Sequence, residues 1–227
     1  MNVSNSILHY TIIKFIIDRG YAPEVDELAN LLKTTEDNII AALRNLQDDH
    51  GIVLHPNSSK IWVIHPFSLA PTNFLVHYEN REWWGNCAWC SLGVAALVNR
   101  DVTITTTLGA NGKQVDIQIK NGRVVETGLW IHFPIPMLNA WDNVIYTCST
   151  MLVFENREEV AVWSRKHRIA EGDIQPITKI WEFAKVWYGN HLNLQWRKWT
   201  VAEARNIFEQ FELIADIWKL PVSDTRF

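Results

Sequence analysis

The chain has 227 residues and a mass of 26.3 kDa, with a formal net charge of −4 and a pI near 6.1; that balance argues against general affinity for nucleic acid or anionic membranes. A hydrophobic fraction of 48% and a mean hydropathy of −0.08 are those of a soluble globular protein, and no run approaches the roughly 20 apolar residues that span a bilayer. Three cysteines, with no basic stretch and apolar core at the start, point to a reducing, cytoplasmic setting and free thiols rather than a disulfide framework.

Residues 1–20 read as a helix: Ile7, Leu8, Ile12, Phe15 and Ile16 fall near helical spacing, Ser4 or Ser6 can cap it, and Gly20 ends it. Pro23 opens a second helix with Val25, Leu28, Ala29, Leu31 and Leu32 as its apolar set. Thr34 or Thr35 caps a third, striped by Ile39, Ile40, Leu43 and Leu46 and closed by Gly51. Two short β-like runs follow, 52–54 and 61–64, joined by the polar turn 56–59. Three helices and a hairpin form a winged-helix-like pattern, which raises the question of DNA. Here the third helix offers one Arg against four acids, and residues 1–66 hold five Lys/Arg against eight Asp/Glu, a balance of −3. Phosphate contact supplies most non-specific affinity, so this surface repels DNA, and the module reads as a packing partner.

Pro66 and Pro71 mark a candidate boundary, giving a winged-helix-like segment over 1–70 that does not bind DNA and a larger domain over 71–227. Residues 67–82 read as a connector followed by an extended segment. The stretch Trp83-Trp84-Gly85-Asn86-Cys87-Ala88-Trp89-Cys90-Ser91-Leu92-Gly93 then holds two of the three cysteines, ahead of a short buried helix over 91–98. Alternating runs at 102–107 and 115–119 are strands, and Asn121-Gly122 is the strongest hairpin signal in the chain. Strands are expected at 129–133, 144–148 and 151–154, which puts Cys148 at a strand end. A helix from Asn156 to His167, another from about Pro176 to Tyr188, and a last one capped by Thr200 with Glu203 complete the pattern. The fold class is therefore α+β, with a mixed or antiparallel sheet flanked by helices. Twelve tryptophans signal a heavily aromatic core.

A thiol reacts, and binds metal, as thiolate, and a cysteine at a helix N-terminus feels the positive end of the helix. Cys87 and Cys90 sit at such a place, and Cys148 is expected to join them in one pocket. One Cys-x-x-Cys without a second pair is a poor structural zinc signature. Thioredoxin-like redox chemistry is a rival, although the pair follows no βαβ pattern and Cys148 has no part in that scheme. Thiolates without His or carboxylate partners favour a soft metal such as Hg(II) or Cu(I). Asn86 can hydrogen-bond a thiolate or simply turn the chain. His132 reads as a satisfied or surface histidine, Asp142 as a loop or cap residue that places one carboxylate ahead of Cys148, and Arg197-Lys198 as a solvated helix flank. Trp83, Trp84 and Trp89 either line the pocket or pack the core.

The order Asn86-Cys87-Ala88-Trp89-Cys90-Ser91-Leu92-Gly93, Val102-Thr103, Tyr146-Thr147-Cys148 and Phe154-x-x-Arg157-Glu158-Glu159 resembles the organomercurial (alkylmercury) lyase family over most of the chain. The resemblance implies an enzyme that breaks carbon–mercury bonds by protonolysis, with two cysteines holding the metal and an aspartate carrying the proton. On this chain it assigns Cys87 and Cys148 to the metal. Cys90 stands where the family has Asp, three residues after the first Cys, as proton donor or third ligand. It also implies no fixed cofactor, since mercury arrives with the substrate. The expected partners are a small organomercurial or other soft, thiol-reactive molecule, and small thiols for product release. The alternatives are a thiol-based Hg/Cu binding protein without lyase activity and a thiol enzyme acting on a non-mercurial substrate. The segment from Trp187 to Trp199 extends beyond the shortest family members.

Overall fold

The computed structural model describes residues 3–221; the outermost residues of the two expected segments, 1–2 and 222–227, lie outside it. The architecture is α+β, as expected. Three helices come first: α1 (Asn5–Arg19), α2 (Val25–Leu32) and α3 (Glu36–Asp48). Ser4 caps α1 by accepting from the Ile7 N–H, Gly20 ends it at φ 82°, and Thr35 caps α3 through the Asn38 N–H. Leu8, Ile12, Ile13 and Ile16 bury one face of α1, and Ile39, Leu43 and Leu46 one face of α3.

The strands β1 (Val53–Leu54), β2 (Ile61–Ile64), β3 (Phe67–Ser68), β4 (Phe74–Tyr78) and β5 (Arg81–Gly85) follow, then α4 (Ala88–Val98), β6 (Val102–Thr107), β7 (Gln114–Lys120) and β8 (Arg123–Val124). All eight strands form one antiparallel sheet, in the order β1-β2-β3-β5-β4-β6-β7-β8. The segment read as a connector supplies β3, which pairs with β2 on one side and β5 on the other and so carries the sheet across residues 66–71. At Asn121-Gly122 both residues have positive φ, 50° and 70°, the geometry of a tight hairpin turn.

The rest of the chain builds a second layer: β9 (Trp130–Phe133), α5 (Val144–Thr150), β10 (Val153–Phe154), α6 (Arg157–His167), β11 (Asp173–Pro176), α7 (Ile177–Tyr188) and α8 (Val201–Gln210). β9 is the centre of a three-stranded antiparallel sheet between β10 and β11. The third strand was not expected, because Asp-Ile-Gln-Pro has neither alternation nor β-branched density. It exists through its register with β9, from Asp173 opposite Phe133 to Pro176 opposite Trp130.

One expected element has the wrong type. Residues 144–148 read as a strand but form helix α5, capped by Asn143, whose Oδ1 accepts from the Tyr146 N–H at 3.0 Å. The β-branched run is overridden by this cap and by Ser149 and Thr150, whose hydroxyls donate to the carbonyls of Tyr146 and Thr147. Cys148 thus projects from a helix that buries Thr147, Cys148 and Thr150 together.

Many of the tryptophans tie elements to one another. Trp83 donates its ring N–H to the Ile16 carbonyl of α1, Trp163 to Gly109, Trp181 to Gly122 and Trp199 to Trp187, each at 2.9 Å. A ring that buries a large apolar area and also satisfies a loop carbonyl fixes both position and angle. Among the described residues no helix is long and apolar enough to cross a membrane.

Candidate active site

Helix α4 is the centre of the molecule. Its sequence, AWCSLGVAALV, has no charge, and the helix is buried nearly all round, between the large sheet and α7. Its entry is fixed by close backbone approach: a Cβ on Gly85 would stand 2.6 Å from the Ser91 Cα. Any side chain at Gly85 would push the end of β5 away from the first turn of the helix.

Cys87 is the N-cap. Its Sγ accepts from the Cys90 N–H at 3.3 Å, the role a serine or aspartate oxygen usually plays. Two backbone hydrogen bonds bring distant segments to this cap. The Ala88 N–H donates to Met151 O at 3.1 Å, which holds the end of α5, and with it Cys148, against the start of α4. The Asn86 N–H donates to Pro66 O at 3.1 Å, which brings His65 in from the turn between β2 and β3.

Cys87, Cys90 and Cys148 are all buried, unbridged, and line one cavity of about 100 Å³. The structure therefore brings together the three thiols singled out from sequence. It also puts a histidine among them, which corrects the expectation of thiolates without imidazole partners. His65 Nε2 lies 3.8 Å from Cys148 Sγ, and the ligating atoms of His65, Cys90 and Cys148 all fall within 4.8 Å of one another. Nothing in the sequence marked His65: it is one imidazole before a proline, 22 residues from Cys87, and its placement follows from the sheet running on through β3.

Tyr188, at the end of α7, is the second residue that sequence reasoning missed. Its hydroxyl stands 3.4 Å from Cys90 Sγ. The ring reaches that far because it packs closely on Gly93 of α4, where a Cβ would collide with its edge carbons. Trp89 fills the next turn of the same wall, stacked on Phe183 at 4.8 Å and close to Trp187 at 5.3 Å.

The opposite wall comes from both ends of the chain and from His50, His65 and Trp141 between them. His9 of α1 stacks on Trp196 at 3.5 Å with the planes 3° apart, and its ring is 5.2 Å from that of His191. Trp141 lies parallel to His50 at 4.6 Å and edge-on to His65 at 5.3 Å. Lys198 places its ammonium 4.6 Å over the Trp141 ring and lines the cavity. It is not the solvated flank expected. Its neighbour Arg197 does face solvent, in a bidentate pair with Glu203.

The electrostatics follow from burial. Desolvation pushes the Cys87 thiol well above its usual range. Cys148 is raised well above its own by interaction with Cys87 and Cys90, and by burial. Cys90 goes the other way: burial raises it, but the Cys148 and Cys87 thiols, the His65 imidazole and the Tyr188 hydroxyl together hold it well below the ordinary thiol value. Of the three, Cys90 is the one whose surroundings favour the thiolate. The histidines are neutral: burial lowers His9 and His65, and burial with His65 nearby takes His191 down to about 3.

The remaining candidates stand elsewhere or in other roles. Asn86 is buried, with its Nδ2 3.3 Å from His65 Nε2, so it meets the imidazole. His132 is fully buried in β9 and bonded through Nε2 to Ala170 O at 3.0 Å, away from the cavity. Asp142 is exposed and accepts from Asn139 Nδ2 at 2.8 Å. Trp83 packs between sheet and α1, and neither it nor Trp84 lines the thiol cavity, whereas Trp89 does.

A helix-capping cysteine, a second in the same helical turn and a third from a neighbouring helix, closed in by aromatic rings, define a buried polythiol site on an α+β scaffold. The sequence model of the alkylmercury lyase family (MerB) matches residues 67–189, more than half of the chain and all three cysteines, and the chain belongs to that family. Its fold is similar to that in a crystal structure of the mercury-bound form of MerB2, with 20% identity and a TM-score of 0.62 over 81% of this chain and 89% of that one. No curated protein sequence matches it.

Proposed function

We propose that the protein is an organomercurial lyase that cleaves carbon–mercury bonds by protonolysis, with Cys87 and Cys148 as the mercury ligands and Cys90 as the proton carrier in the place of the family aspartate. The observation that carries this reading is the convergence of three buried thiols on one apolar cavity in a chain of this family. The Cys90 thiolate takes the proton of Cys87, and the Cys87 sulfur bonds to mercury as the counter-ion leaves. The Cys148 sulfur then bonds to mercury and releases its own proton to an outside base. Thiolate donation loosens the Hg–C bond, whose electron pair goes to carbon as Cys90 returns the proton it holds. The products are the hydrocarbon, a neutral bis-thiolate mercury and the regenerated Cys90 thiolate. Small external thiols then remove the metal by exchange.

The apolar, aromatic walls suit an uncharged organic group and strengthen the electrostatics at the metal. Mercury arrives with the substrate, so no resident cofactor is part of this reading. Its setting is cytoplasmic. The acidic N-terminal region, winged-helix-like in outline, serves as a wall of the cavity and does not bind nucleic acid.

The test is incubation with phenylmercuric acetate and excess small thiol, followed by headspace measurement of benzene. Release is expected from the unaltered chain, and a drop of more than about a thousandfold in Cys87→Ser and in Cys148→Ser. Tight stoichiometric binding of the organomercurial with no benzene would instead favour a soft-metal binding protein. Cys90 standing where the family has a carboxylate is the one observation in favour of that second reading.

A further inference from the structure

We propose that His65, Cys90 and Cys148 form a three-donor site for a divalent cation of the zinc class, with a ligand set distinct from the Cys87–Cys148 pair that the lyase reading uses. Two thiolates and one imidazole form a recognised donor set for zinc sites that keep a fourth position open. With zinc–sulfur and zinc–nitrogen bonds of about 2.3 and 2.0 Å, the donors of such a site lie about 3.5–4 Å apart. Here Cys148 Sγ and His65 Nε2 are 3.8 Å apart, and all three donor atoms lie within 4.8 Å of one another, so a contraction of at most roughly an ångström completes the geometry.

Three further features fit a cation of this kind. Two thiolates cancel the charge of a dication, so the loaded site is neutral in an apolar, aromatic cavity. Mixed sulfur and nitrogen donors suit a borderline ion better than the softest ones. The ligating tautomer of the imidazole is already set: Asn86 Nδ2 can only donate, so at 3.3 Å it meets Nε2 as the lone-pair nitrogen with the ring proton on Nδ1, and the cation takes that lone pair in place of the Asn86 contact. Cys148 belongs to both ligand sets, so a zinc-class ion and an organomercurial exclude one another.

Titration of the metal-free full-length protein with Co(II), with Zn(II) in competition, reads the site. One equivalent of Co(II) is expected to give a thiolate-to-cobalt charge-transfer band that Zn(II) abolishes. X-ray absorption on the zinc-loaded protein is expected to show two sulfur scatterers and one imidazole nitrogen. His65→Ala should weaken Co(II) binding by more than about tenfold, since loss of a direct ligand costs at least as much as loss of its supporting residue. Cys87→Ser should retain the cobalt band. No saturable one-equivalent binding, an all-sulfur zinc shell without imidazole, or loss of the band in Cys87→Ser but not in His65→Ala would each overturn the proposal. The absorption measurement needs no variant, so a poorly folding His65→Ala leaves the question decidable. Benzene release without cation binding would sink this site and leave the lyase reading standing.

Discussion

The thiol floor of the cavity and its histidine–tryptophan wall have different origins. Cys87, Cys90, Cys148, Trp89 and Tyr188 all lie within residues 67–189, the part that matches the family. His9, His50, His65, Trp196 and Lys198 line the same cavity from outside that range. The thiols of the floor come from two helices locked together through the Ala88–Met151 backbone bond; the wall is assembled from α1, the turns after α3 and β2, Trp141, and the segment before α8. In the proposed reaction the chemistry of the metal resides in the floor. The wall lines the rest of the cavity with imidazole and indole rings.

The widest gap between the two should appear on substitution of Cys90. If it carries the proton, Cys90→Ala should lower benzene release by about a hundredfold or more, the usual worth of a general acid or base. Cys90→Asp, which restores the carboxylate of the family, should match or exceed the unaltered chain. A fall in Cys90→Asp as deep as in Cys90→Ala would assign the sulfur to metal binding instead. Changes in the wall, such as Trp196→Phe, should alter substrate preference and leave the turnover of the smallest organomercurial close to unaltered.

The wall should dominate stability against acid. His9, His65 and His191 are buried neutral, with folded pKa values below the unfolded value of 6.5. The unfolded chain therefore binds more protons below about pH 6.5, and stability falls as pH falls from there toward the folded value. For His191, held at about 3, the loss at pH 5 is roughly 2 kcal/mol, and His9 and His65 add in the same direction. Chemical denaturation at pH 7.5 and pH 5 measures it, and His191→Phe should flatten the dependence. An equal slope in that variant would mean that His191 does not contribute.

The same division explains what the sequence could reveal. The floor was legible because its signal is local, a Cys-x-x-Cys at a helix start, and the same holds elsewhere in the fold for the Thr200–Glu203 capping box, the Asn121-Gly122 turn and the longer periodicities. The wall was not, because no spacing in the chain joins His9 to His191 or His65 to Cys148; only the continuous sheet and the return of the C-terminal segment do. Even in the floor, α5 was misread as a strand. Its seven residues are too few for a helical period to show, and Val-Ile-Tyr-Thr favours strands until the Asn143 cap is counted. Lys198 was misread for the opposite reason: a basic pair beside a helix start is usually solvated, and only the fold puts Trp141 beneath it.

Tyr188 is the seam between the two regions and gives the finest test. It stands at the edge of the family match, packs on Gly93 of the floor, touches the His191 ring of the wall at 5.1 Å, and places its hydroxyl 3.4 Å from Cys90 Sγ. Burial and the nearby thiols raise its own pKa well above the phenol value, so it stays protonated and donates. A hydrogen bond to a buried charged group is worth about 1.5–3 kcal/mol, so Tyr188→Phe keeps the packing and removes only that donor. Benzene release should fall about tenfold, with the alkaline shift of the activity–pH profile that a raised Cys90 pKa produces. A merely structural role would lower the yield of folded protein and leave the profile in place. Gly93→Ala, whose Cβ would displace the ring and crowd the Pro66 side chain at 3.0 Å, should reproduce the shift; an unshifted profile in both variants would mean that Tyr188 does not set the acidity of Cys90.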